Sequence, residues 1–252
     1  MGVRKQLKAE ARKNAVFVAN FERVLKPLRR KAMNVVIENM SGSVETLAQN
    51  AAAMVNEFYL PDFYSQLYTG VGGYWARRQY NSLLGLKADV RDAVWNIELQ
   101  QWVSLNTGEL IKSVQGTLKK WVQKVVQDYV NVAIEEGLGL EQLTQEAKKV
   151  LANAYTGYET WKVRQIVSQE VLSAYSVSNK IGADSTGLEY TKQWIHSGSG
   201  NHHANHVPLN GVKIGQNDLF QVGSYTARYP RDTSLGPEES INCLCACAYR
   251  AK

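Results

Sequence analysis

Between Glu109 and Glu136 the apolar residues Ile111, Val114, Leu118, Trp121, Val125 and Tyr129 recur at spacings of three and four. That spacing returns side chains to one side of a helix. Lys112, Lys119, Lys120 and Lys124 mark the wet face. The pattern predicts a helix over 109–136, ended by Gly137 and Gly139. Its neighbours read the same way. Residues 3–38 are rich in Lys, Arg, Ala, Leu and Glu and predict a long helix, with Pro27 kinking or dividing it. Met-Ser-Gly-Ser at 40–43 reads as a break, followed by a helix capped by Ser43 and running to about Glu57. Further helices are expected over 86–105, 140–152 and 159–183, with Gly157 as a turn between the last two. The aromatics between 58 and 83 (Phe58, Tyr59, Phe63, Tyr64, Tyr68, Tyr74, Trp75, Tyr80) read as packing residues, interrupted by Gly70, Gly72 and Gly73.

The character changes after Ser185, where short apolar runs and turn residues replace long periodic ones. Strands are expected over 188–195 and 241–249, with a long loop between them that carries function or a structural clamp. A chain of 252 residues is one large domain or two modest ones. The expectation is an α+β protein with a helical N-terminal region over 1–134 and a small mixed domain over 135–252.

Charge is unevenly placed. Residues 1–31 carry ten basic and two acidic side chains, net +8, against net −2 for the remainder. Arg4, Lys5, Lys8, Arg12, Lys13, Arg29, Arg30 and Lys31 are therefore candidate contacts for a polyanion or an acidic protein surface. The alternative is a solvated helix face. No apolar run of membrane-spanning length occurs. Ala15–Ala19 is too short for a signal peptide, so the chain is expected to stay in the cytoplasm or be packaged from there.

All four histidines and all three cysteines lie between His196 and Cys247. Both residue types are favoured zinc ligands. Structural zinc sites, however, prefer Cys-x2-4-Cys pairs, and Cys243, Cys245 and Cys247 alternate singly. On a strand all three would share one face, and a buried thiol face under the histidine loop is the reading taken. No metal ligand and no cofactor is assigned. Asn201 to Gly211 is similar to the first half of an HNH metal-nuclease motif, but no histidine follows His206 to complete it. P-loop, Gly-x-Ser-x-Gly and His-Glu-x-x-His motifs do not occur.

An ordered set of residues resembles the phage Mu F-like, or head morphogenesis, family of minor head proteins. It runs from Gly-Leu-Gly-Leu-Glu-Gln-Leu at 137–143 through Arg164 to Glu170, Ala174 and Gly182, then Tyr190 and Trp194. His206, Leu209 and Gly211 follow, then Phe220 and Pro230, and last Ile-Asn-Cys-Leu-Cys at 241–245. The sequence departs from the family at Ser168-Gln169, His203 and Leu244, where the family has Arg-Thr, Arg and Arg. The resemblance implies a non-enzymatic protein of the virion interior. It would act in head morphogenesis at the portal vertex and in DNA packaging or ejection, and be made in the host cytoplasm. Implied partners are the portal protein, the major capsid or scaffolding protein and double-stranded DNA, with no membrane. The rival reading is a metal-dependent nuclease or toxin-like enzyme using the His/Cys domain. Glu170, His206, Gly211, Asn242, Cys243 and Cys245 are taken as the structural motif. In it Glu170 pairs with His206, Gly211 adopts positive φ, and Asn242 binds loop backbone.

Overall fold

The structure, a computed structural model, describes residues 3–86, 94–198 and 203–252, and the side chains of residues 3–5 and 94 are not among what it describes. The fold is α+β. Among the described residues five helices come first: α1 (Val3–Asn39), α2 (Leu47–Ala53), α3 (Leu60–Leu84), α4 (Val94–Glu135) and α5 (Leu140–Asp184). Short strands follow: β1 (Tyr190–Ile195), β2 (Lys213–Gly215), β3 (Phe220–Val222), β4 (Tyr225–Ala227) and β5 (Ala246–Ala251). A 3-10 turn, Ala204–His206, precedes β2, and the one-turn helix α6 (Pro237–Ser240) precedes β5.

The chain divides into two compact units. A helical unit takes Ala19–Phe63 and Thr107–Val167. A mixed unit takes Met1–Val18, Tyr64–Asn106 and Ser168–Lys252. The expected division at 134/135 falls inside the helical unit, because Val130 and Ala133 at the end of α4 share one apolar cluster with Leu143 and Ala147 of α5.

In the helical unit, Met33 and Val36 of α1 and Met40 just after it pack with Leu118, Val122, Val126 and Val130 of α4 and with Leu151, Tyr155 and Tyr158 of α5. The deepest line on α4 lies one residue round from the predicted stripe, so Trp121, Val125 and Tyr129 flank the core rather than centre it. Each fully buried aliphatic side chain contributes roughly 1.5–3 kcal/mol, which lets tertiary packing override local breakers. Thus α1 runs unbroken past Pro27. α5 likewise runs past the exposed Gly157, where two helices were expected, because Tyr155 and Tyr158 on either side are both held in the core. α2 is shorter than expected. The chain leaves the helix after Ala53, and buried Glu57 pairs with buried Arg29 at 2.9 Å.

In the mixed unit the glycines of α3 are no interruption, and the helix runs through them. A Cβ on Gly72 would meet the Ser178 hydroxyl and Leu99, and one on Gly182 would collide with the Ala76 backbone. Small residues therefore set a close crossing of α3 and α5. Polar ties accompany it. Trp75 Nε1 donates to Asn14 at 2.9 Å, and the Tyr175 hydroxyl donates to Glu10 at 2.7 Å. The start of α1 is therefore packed helix on one face and not a free arm.

The strands form a three-stranded antiparallel sheet ordered β2-β1-β5, with β3 and β4 as a separate hairpin. β1 alternates, burying Tyr190, Lys192 and Trp194. The expected final strand at 241–249 begins only at Ala246. Cys243 and Cys245 precede it, for a reason that lies in the site.

Candidate functional site: a buried His-Cys-Cys cluster

β1 and the loop after it bring Trp194 and the 3-10 turn together. The Trp194 ring meets the His206 and Phe220 rings edge-on, each at 5.2 Å between centroids. His206 is fully buried. Its Nε2 lies 3.1 Å from Glu239 Oε2, and the other Glu239 oxygen accepts from Asn205 Nδ2 at 2.5 Å. The His206–Glu239 contact is a close electrostatic approach and not an aligned hydrogen bond. On the other side of the ring, Nδ1 faces Cys243 Sγ at 3.5 Å and Cys245 Sγ at 3.6 Å. The three ligand-type atoms lie within 4.8 Å of one another, and all three side chains are buried.

The cysteine segment is shaped by groups that local pattern did not reveal. Asn242 has φ of 60°, a left-handed conformation that Asn tolerates better than most residues. The Gln169 amide is best satisfied with its nitrogen on the Ser240 carbonyl at 3.3 Å and its oxygen taking the Asn242 N–H at 2.6 Å. Arg231, itself at φ 62°, sends its buried guanidinium to the carbonyls of Cys243 and Cys245 and to the Ser176 hydroxyl. Those carbonyls are thereby withdrawn from strand pairing, which is why β5 starts late. The loop is tied to the same turn through His203, whose Nε2 lies 3.0 Å from the Ile241 carbonyl. Asp232 clamps the Arg228 guanidinium through two bonds of 2.8 and 2.9 Å.

Electrostatics follow from this crowding. The Cys243 thiol is held well below its ordinary value, first by the hydrogen bond from Cys245 and further by His206 and the Arg231 cation, against burial. The same hydrogen bond and burial push Cys245 up. Cys247 lies outside the trio, and burial pushes it up to about 12. Lys192 is fully buried with its ammonium 5.6 Å from the Phe220 ring centre, and burial lowers its pKa. Burial works against the Asp232 carboxylate, but the Arg228 guanidinium and backbone N–H outweigh it and hold its pKa down.

Several sequence expectations change here. Glu170 does not pair with His206. It accepts from the Tyr68 hydroxyl at 2.8 Å, and the histidine's carboxylate is Glu239, which is closer along the chain and next to the cysteine turn. Asn242 holds the turn through Gln169, and the tie between loop and turn expected from Asn242 runs instead from the His203 ring on the loop to the Ile241 carbonyl in the turn. Gly211 does adopt positive φ, at 87°, and its N–H donates to the Trp194 carbonyl at 2.8 Å. Arg29 is withdrawn from the polyanion set by its buried pair with Glu57. Arg30 is partly committed, at 2.7 Å from buried Glu159. Lys13 lies over the Tyr74 ring at 4.7 Å. Lys8, Arg12 and Lys31 are exposed. The side chains of Arg4 and Lys5, and all of His202, lie outside the described residues. Arg231, Glu239, Asn205 and Lys192 were missed. Nothing in their spacing marks them, apart from Asn205 standing next to His206.

Comparison with known proteins gives little to weigh against this geometry. No family model matches the chain, and no solved structure matches it. A protein described as uncharacterized protein YqbB, from Bacillus subtilis (strain 168), is 28% identical over 155 residues, which cover 60% of this chain. The match spans 44% of that protein's length.

Proposed function

We propose that this is a minor head protein of a tailed bacteriophage, resident inside the head at the portal vertex and serving assembly and genome packaging or ejection. Its partners in this reading are the portal protein, the major capsid or scaffolding protein and double-stranded DNA. The observation that carries the reading is convergence. Trp194, His206, Phe220, Cys243 and Cys245 belong to the ordered set that resembles the Mu F-like family, and these residues, far apart in the chain, form one buried cluster. A set retained in order and buried together is what a scaffold needs. The nuclease alternative needs a histidine that reaches a phosphate, and His206 is fully buried.

A second feature supports the DNA partner. On α1, Arg23, Lys26, Arg30 and Lys31 line a shallow groove of about 460 Å³ with Pro27 and Asn34. Phosphate contacts there give sequence-independent, salt-sensitive binding. Among the described residues no helix is long and apolar enough to cross a membrane.

Two measurements test this. Mass spectrometry of purified procapsids and virions should find the chain in both, and its absence from both overturns the reading. Arg23→Ala, Lys26→Ala and Lys31→Ala together should lower the slope of log binding constant against log salt for duplex DNA, by about 0.9 for each phosphate that is no longer neutralised. Arg30 is left in place because it holds Glu159. An unchanged slope removes DNA from the list of partners for this face.

A further inference from the structure

We infer that Cys243 Sγ, Cys245 Sγ and His206 Nδ1 are ligands of a zinc ion that fastens the histidine loop to the cysteine turn, a property independent of whether the protein builds phage heads. The first argument is distance. Tetrahedral zinc with Zn–S of about 2.3 Å and Zn–N of about 2.0 Å sets its sulfur and nitrogen ligands roughly 3.5 Å apart. The two sulfur-to-nitrogen distances here are 3.5 and 3.6 Å, and the whole trio closes within 4.8 Å.

The second argument is convergence. Both sulfurs face Nδ1 of one buried imidazole, and a metal ion takes electron pairs from all three at once. Glu239 Oε2 stands 3.1 Å from Nε2, on the side of the ring where a metal-bound histidine usually keeps a carboxylate. Asn205 fixes that carboxylate in turn.

The third argument is charge. Two thiolates balance a divalent cation, and His206 is neutral. Arg231 is buried beside the turn with no carboxylate in ion-pair reach among the described residues, and Glu239 is likewise buried. One positive and one negative charge then remain, so the loaded cluster has no net charge, as burial requires. Both cysteines bind as thiolates, so any proton a thiol carries in the metal-free chain leaves to solvent on binding. Soft sulfur with imidazole favours zinc over calcium or magnesium. Three protein ligands leave one position of the tetrahedron for an exogenous donor such as water. The Cys-x-Cys spacing departs from the Cys-x2-4-Cys of most structural zinc sites, but the turn at Asn242 brings both sulfurs to one ring nitrogen. Here the third ligand arrives from a loop nearly forty residues upstream.

The test is metal analysis of the full-length chain, purified without chelator and also refolded in reductant with zinc sulfate and then desalted. About one zinc per chain is expected, lost as the pH is lowered because all three ligands must be deprotonated. Cys243→Ala, Cys245→Ala and His206→Ala should each abolish stoichiometric zinc, whereas Cys247→Ala should keep it. Where a ligand variant does not fold, the wild-type chain loaded with cobalt decides the matter. It should show thiolate-to-cobalt charge transfer and the intense visible bands of a tetrahedral site. A reduced, folded wild-type chain that holds neither zinc nor cobalt overturns the assignment. So does full zinc retention in folded Cys243→Ala, or zinc loss in folded Cys247→Ala.

Discussion

Two buried arginines show how differently the two units are held. Arg29 sits in the helical unit against the Glu57 carboxylate, amid an apolar cluster that periodic α1, α4 and α5 form without it. Arg231 sits in the mixed unit against two backbone carbonyls and a serine hydroxyl. There the guanidinium replaces the main-chain pairing that a longer strand would have supplied. The first arginine is an addition to a core. The second is part of what gives the cysteine segment its path.

That contrast can be broken by substitution. The largest effect is expected from Arg231→Met, which leaves three acceptors without a donor at roughly 1–3 kcal/mol each, about 5 kcal/mol in all. Denaturant unfolding followed by tryptophan fluorescence should report it. The paired change Arg29→Met with Glu57→Leu should cost little, because swapping a buried ion pair for apolar groups is often neutral. Equal costs for the two would erase the distinction.

A smaller effect is expected from Glu170. Burial raises its pKa from 4.5 to about 7, against hydrogen bonds from Tyr68 and Tyr64. The folded chain therefore holds a proton that the unfolded chain releases between those values. The contribution of this group to stability is greatest below about pH 4.5 and declines as pH rises through about 7. Glu170→Gln should flatten that decline, by of order 3 kcal/mol, in unfolding curves taken at pH 5 and at about pH 8. An identical slope in the variant shows that the carboxyl is ionised throughout. The smallest single-residue effect belongs to the helical unit. Gly157→Ala should stabilise by about 1 kcal/mol, since the position is exposed helix interior with open space around it. Destabilisation there means α5 is interrupted at Gly157 after all.

The same contrast explains what could be read in advance. Helices are announced by local spacing, so the helical character of α1, α4 and most of α5 follows from the residue pattern, although the separate helices expected over 86–105 and 109–136 are one continuous α4. The errors, at Pro27, Gly157 and the α3 glycines, are places where packing between helices outweighs local propensity. In the C-terminal region β1, the positive φ of Gly211 and the closeness of the histidines to the cysteines were readable, because turn chemistry and residue clustering are local signals. The partners of those residues were not. Glu239 rather than Glu170 on His206, and Arg231 on the cysteine carbonyls, are choices made by three-dimensional proximity. No periodicity encodes them.

The interleaving of the units bears on how the chain is made. Every residue of the helical unit has been synthesised once Val167 is in place, whereas the mixed unit waits for the last eighty-odd residues while its first piece is already complete. Folding during translation therefore runs from the middle of the chain outward. A nascent chain halted soon after Val167 clears the ribosome should protect its helical unit from protease while its leading residues stay open to cleavage.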